Sequence, residues 1–306
     1  MNWSPPKKVI IQGITEFPAT SYAVQMQAYG TEIVAGVSPG EGGIEIGNIP
    51  VFDLVEQVIT QDKTIDTSLI FVRPYQVLDA AKEAITAGIR FLIIFTPRVP
   101  PLDTIELIKY AETNQTLLLG PSSHGLVIPQ KIWLGKLEPQ YYQPGSVGLI
   151  TSSQHLCYEV AAELNQANMG QSLVVSLGEE RILGSNLSQW LSILNQDSHT
   201  EAIVLIGQSI NETNEIAAYC QTHGIDKPVV VYIAGLNTPQ DKVFRDAVTI
   251  ISNHLSASIP AFNCDWASPT AKGNRQTINK LKKAGITIAK RPSEIPTIIQ
   301  ESLSLR

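Results

Sequence analysis

Short unbroken apolar runs alternate with helix-length segments along the whole chain, and this rhythm constrains the fold more than any other feature. Residues 9–11, 33–35, 68–72, 91–95 and 116–119 are runs of strand length, mostly Val, Ile, Leu and Phe. Their hydrophobicity is continuous rather than alternating, which marks strands covered on both faces, as in parallel sheets. Between them, residues 21–29, 53–60, 77–87 and 102–113 have the composition of helices. Asp53 and Asp103 are the expected N-caps, and Gly30 and Gly88 the expected stops. Strand–helix–strand repetition of this kind folds as a right-handed doubly wound sheet.

The rhythm breaks over residues 128–144, which hold Pro129, Pro139, Pro144, Trp133, Tyr141 and Tyr142 without a clean period. Such a stretch predicts an ordered linker packed between two domains. The alternation then resumes, with strands expected at 147–151, 173–176, 202–206, 229–232 and 286–288. Helices are expected at 158–166, 187–194, 212–222, 274–284 and 292–303, and an irregular insertion at 252–268. The expectation is therefore an α/β chain of two domains, 1–127 and 146–306, joined by 128–145. The length of 306 residues suits two domains, each able to bury its own core.

Charge narrows the function. The chain has 22 Lys and Arg against 28 Asp and Glu, a net charge of −6, and no local basic stretch. That excludes the electrostatic footprint of a nucleic-acid binder. Charged residues are only 16% of the chain, below the roughly 25% of typical soluble domains. This points to surface covered by a partner or by self-association. The longest apolar stretches, 91–95 and 229–236, fall far short of the roughly 20 residues of a membrane span. No apolar h-region of signal-peptide length follows Lys7 and Lys8, so no signal peptide is expected. Cys157, Cys220 and Cys264 are odd in number and form no CxxC pair, against a disulfide scaffold or a metal site. A soluble, cytoplasmic protein with no metal and no membrane contact is the expectation.

Several strings, in order and spacing, resemble the alpha subunit of succinyl-CoA synthetase (succinate–CoA ligase) over nearly the whole chain. They are Gly36-Val37-Ser38-Pro39-Gly40-Glu41-Gly42-Gly43, Pro50-Val51-Phe52, Ala87-Gly88-Ile89 and Gly120-Pro121. In the second half they are Gly184-Ser185-Asn186, Thr200-Glu201-Ala202-Ile203-Val204 and Lys227-Pro228-Val229-Val230-Val231-Tyr232-Ile233-Ala234-Gly235. The resemblance implies a Rossmann-like CoA-binding domain followed by a flavodoxin-like domain, both built on parallel sheets. It also implies a beta-subunit partner, CoA or acyl-CoA as ligand, and a phosphohistidine relay.

Positions that carry chemistry in that family differ here. The family loop Gly-x-Thr-Gly-x-Gln-Gly, whose amides embrace a ligand phosphate, reads Gly13-Ile14-Thr15-Glu16-Phe17-Pro18-Ala19. Gly13 and Thr15 match, but Glu16 and Ala19 replace glycines and Pro18 removes a donor. After Ser38 and Pro39, Glu41 stands where the family has lysine. Thr96 matches the family's threonine, with Pro97 in place of an acid, and Ser122-Ser123-His124-Gly125 replaces Asn-Cys-Pro-Gly. By the same alignment Asp246 stands at the phosphorylated histidine, Gln208 at the acid that orients it, and Ser153-Gln154-His155 at the Ser-Gly-Thr phosphate cradle. A phosphoryl relay needs a nucleophile, a group that sets its tautomer, and donors for the phosphate. Of that device only Ser153 is kept.

The expectation is thus an alpha-subunit-like protein without phosphohistidine-dependent turnover, kept to bind an acyl-CoA, a nucleotide or a protein. The alternative is a working subunit of an acyl-CoA ligase in which Asp246 or His254 carries phosphate. Plain structural roles are expected for several eye-catching residues. Cys157, about 200° around the helix from His155, is expected to pack in the core. Ser122, Ser123 and His124 lack an orienting carboxylate in sequence and are expected to shape a loop. Arg73 and Arg98 follow strands at the rim where open sheets bind ligands. There they would either be solvated or replace the positive charge lost at Glu41.

Overall fold

The computed structural model describes residues 3–207, 219–220, 222, 224–234, 278–279 and 281–304. The continuous apolar runs become strands because each side chain finds cover on whichever face it points to. In β1 (Val9–Gln12), Val9 and Ile11 enter one buried cluster and Ile10 a second on the opposite face. β5 (Thr67–Ile70) and β6 (Phe91–Ile94) divide in the same way, Leu69 and Ile93 to the first cluster, Ile70 and Leu92 to the second.

With β2 (Ile33–Val37), β3 (Glu45–Ile46), β4 (Ile49–Phe52) and β7 (Leu117–Leu119) they form a sheet ordered β3-β4-β2-β1-β5-β6-β7. All neighbours are parallel except β3 and β4. The winding reverses between β1 and β5, and ligands of open α/β sheets bind at such a switch point. The helices are α1 (Ala19–Tyr29), α2 (Val55–Gln61), α3 (Val77–Thr86) and α4 (Pro101–Thr113). α1 stops at Gly30, which takes the left-handed φ of +112° that favours glycine. Asp53 and Asp103 are not the caps expected from sequence. Leu54 occupies that position for α2 and Pro100 for α4, and α4 opens on Pro101, a preset first-turn residue.

The second sheet holds β8 (Gly125–Ile128), β9 (Ile132–Gly135), β10 (Pro144–Thr151), β11 (Gln171–Ser176), β12 (Ala202–Gly207), β13 (Val229–Ile233) and β14 (Thr287–Ala289). Its order is β14-β13-β12-β10-β11-β8-β9. The strands β10 to β14 are parallel, in the arrangement of flavodoxin-like sheets, and β8 and β9 add an antiparallel hairpin to β11. Helices α5 (Gln154–Gln166), α6 (Leu187–Gln196) and α7 (Ile295–Ser304) accompany it. The two-part α/β fold expected from sequence is the one observed.

The stretch without a clean period, 128–144, includes β9 and a 3-10 turn at Pro139–Tyr141. The hairpin ties the two sheets together. Thr31 Oγ1 donates to the Trp133 carbonyl at 2.7 Å and accepts from its amide at 3.1 Å. Phe95, at the end of β6, stacks on Phe71 with centroids 4.4 Å apart, and its ring fills the space over Gly125 and Gly135. A Cβ on Gly135 would stand 2.1 Å from that ring, so glycine is needed there for the approach. The helix expected at 212–222 and that at 274–284 fall largely outside the described residues, and the irregular segment at 252–268 wholly so.

Candidate ligand-binding site at the switch point

The loops after β1, β2, β5 and β6 meet at the rim of the first sheet. Gly13 has φ +76°, and a Cβ there would stand 2.9 Å from the Val72 amide nitrogen, so the β1 and β5 loops touch because this residue is glycine. Thr15 and Ser38 link the β1 and β2 loops, their hydroxyl oxygens 2.9 Å apart. Thr96 is buried and donates to the Val72 carbonyl at 2.6 Å. Ser122, in the left-handed region at φ +57°, donates its amide to the Thr96 carbonyl at 3.1 Å. Six of the residues singled out from sequence (Gly13, Thr15, Ser38, Pro39, Thr96 and Ser122) therefore sit on one connected set of loops. Pro39 and Glu41 stand exposed at its edge.

Arg73, open from sequence between solvation and replacing the charge lost at Glu41, is 74% exposed at its side chain. Arg73 Nε lies 3.2 Å from Glu16 Oε1, so this cation is paired across the switch point with the acid of the β1 loop. Arg98 is exposed at φ +58°, its amide donating to Glu180 Oε1 at 2.7 Å. The glycine-rich β2 loop is held by Asp53, whose Oδ1 accepts from the amides of Gly40 at 2.7 Å and Gly42 at 3.0 Å. Asp53 was read from sequence only as a helix cap. Its role here had one signal, a carboxylate at the end of β4 facing a loop of three glycines.

A second group lies where the C-terminal edges of the two sheets adjoin. Ser153 is buried at the N-cap of α5, its amide donating to Thr151 Oγ1 at 2.9 Å. Gln154 turns its amide to the Tyr158 hydroxyl at 2.7 Å and to the Lys136 carbonyl at 3.3 Å. His124 Nδ1 is 3.4 Å from Ser176 Oγ, and Nε2 is 3.9 Å from Glu179 Oε1. An acid near His124 was not visible in the sequence, because Glu179 comes from the loop after β11. Burial holds the His124 pKa below the ordinary histidine range against the pull of Glu179, and burial also lowers that of Lys136. Lys136 donates to the Phe95 carbonyl at 3.1 Å.

Cys157 is fully buried, and burial pushes its thiol up to about 12, which suits packing rather than nucleophilic attack. Asp246, Gln208, His254 and Cys264 lie outside the described residues. Among the described residues no three His, Cys, Asp or Glu side chains gather as a metal site, and no helix is long and apolar enough to cross a membrane.

Residues 4–98 match the family model described as a CoA binding domain, and residues 144–251 that of a succinyl-CoA ligase like flavodoxin domain. The chain is 33% identical over 296 residues to succinate–CoA ligase [ADP-forming] subunit alpha 2 of Archaeoglobus fulgidus, covering 97% of each chain. It is 34% identical over 248 residues to the malate–CoA ligase subunit alpha of Methylorubrum extorquens, covering 80% of this chain and 83% of that one. Among solved structures, ATP citrate lyase of Methanosaeta concilii in complex with (3S)-citryl-CoA aligns with a TM-score of 0.79 at 16% identity. That match covers 98% of this chain and half of the other, and it supports the fold alone.

Proposed function

The chain belongs to the family of succinate–CoA ligase alpha subunits, and from that premise we propose that it keeps the family's ligand-binding scaffold without phosphohistidine-dependent ligation. The observation that carries this proposal is Asp246, which stands where the family's Gly-His-Ala-Gly string has its histidine. A carboxylate there cannot form a phosphohistidine, and the replacements at Gln208 and Gln154 remove the groups that would orient and cradle one. The N-terminal loops support a CoA-type ligand through Gly13, Thr15, Ser38, Thr96 and Ser122. The low charge fraction supports a covered surface, taken by a beta-subunit-like partner or a second copy.

The test is an assay of the full chain with a succinate–CoA ligase beta subunit, ATP, succinate and CoA. No acyl-CoA above background is expected, and formation at ordinary ligase rates overturns the proposal. Labelled ATP in the same mixture separates the alternative. Covalent label that disappears in Asp246→Asn or His254→Asn would mark a working ligase with a different phosphate carrier.

A further inference from the structure

In a Rossmann-type sheet the end of β2 meets the ribose of an adenine nucleotide. A carboxylate there accepts hydrogen bonds from a free ribose diol, whereas a phosphorylated ribose calls for a cation. Among the described residues that follow β2 there is no cation at that place. The residues following β2 are Ser38, Pro39, Gly40 and Glu41, with Glu41 exposed at the rim.

The backbone tells the same story. Successive amides in a glycine-rich loop form a concavity that takes a phosphate or carboxylate oxygen. Here the amides of Gly40 and Gly42 already donate to Asp53, at 2.7 and 3.0 Å. A Cβ on Gly42 would stand 2.5 Å from Asp53 Oδ2, so the carboxylate lies against the loop backbone. Across the switch point, the guanidinium of Arg73 is engaged by Glu16 at 3.2 Å. Two carboxylates, Glu16 and Asp53, are thus held against these loops and Glu41 stands exposed beside them, while of the rim arginines Arg73 is paired with Glu16 and Arg98 is exposed after β6. A phosphate on the ribose would enter against like charge, while an unphosphorylated diol would find an acceptor.

We propose that the switch-point site selects an adenine nucleotide with a free ribose diol over CoA, whose ribose carries a 3′-phosphate, and that Glu41 sets this preference. The proposal rests on the CoA-type reading of the N-terminal domain and names which member of that ligand class it takes. Dephospho-CoA and NAD both present the diol. They differ in whether a pantetheine arm or a second nucleoside continues from the pyrophosphate, so both belong in the test.

The experiment is calorimetric titration of the full chain with CoA, dephospho-CoA and NAD, repeated on Glu41→Lys and Glu41→Gln. At least one diol ligand is expected to bind roughly tenfold or more tightly than CoA, a gap that reflects one unfavourable charge contact. Glu41→Lys is expected to raise CoA affinity and reverse the order, and the near-isosteric Glu41→Gln to narrow it. CoA binding as tightly as the tighter of the two diol ligands overturns this proposal and leaves the CoA-type reading standing. A preference unchanged in both variants overturns the assignment to Glu41. No binding by any of the three overturns both the proposal and the reading beneath it.

Discussion

His124 shows what a single side chain inherits from its surroundings. Its imidazole is 17% exposed, with Ser176 at one nitrogen and Glu179 near the other. Burial lowers its pKa, Lys136 and His155 push in the same direction, and Glu179 opposes them. A folded-state value below the unfolded one means that the unfolded chain binds the proton first. Stability from this residue is therefore complete above the unfolded value of about 6.5 and falls as pH drops through it. The urea midpoint is expected to decline between about pH 7 and pH 5, and His124→Asn to flatten that decline. Equal slopes in the two proteins would show that the imidazole takes up its proton as readily folded as unfolded. Gly13 and Thr15 were singled out in the sequence because they match a local family string. The Glu16–Arg73 pair was not, since its members belong to loops after different strands and only the sheet order brings them together. Asp53 was misread for the same reason: position before a helix suggests a cap, and only the fold reveals the loop opposite.

Among elements, those with a strong period were found and those defined by contact were not. The strands β1, β5 and β6 were plain because burial on both faces leaves their runs largely apolar, with Gln12, Thr67 and Ser68 the buried polar exceptions. The helix α5 begins at Gln154 rather than at 158, because Gln154 and His155 in its first turn give no apolar signal. The β8–β9 hairpin was hidden among prolines and aromatics. Its place depends on Gly125 and Gly135 admitting the Phe95 ring, a contact between distant segments. Phe95 is 1% exposed and holds β6 against this hairpin. Phe95→Ala is expected to cost about 3–5 kcal/mol in denaturant unfolding, the range for removing a buried phenyl ring. A loss below about 1 kcal/mol would show that the hairpin docks without it.

At the scale of the molecule, the alternation of strands and helices announced two α/β units, and the family strings identified their kinds. It could not announce how far they share a core. Val9, Ile11, Leu69 and Ile93 of the first sheet belong to the same buried cluster as Leu126, Leu134, Leu149 and Val174 of the second. Apolar area shared in this way makes the unfolding of either part expose the other. One calorimetric transition is expected, and Phe95→Ala is expected to shift it as a whole; two resolved transitions would contradict the shared core. The carboxylate of Asp53 has a consequence at this scale as well. A loop that closes only around its ligand surrenders conformational freedom at the moment of encounter, and binding is weakened by that loss. Here the glycine-rich loop meets every visitor already ordered by its own side chain. It discriminates as a fixed mould does, by refusing shapes and charges that do not fit, and not by folding around those that do.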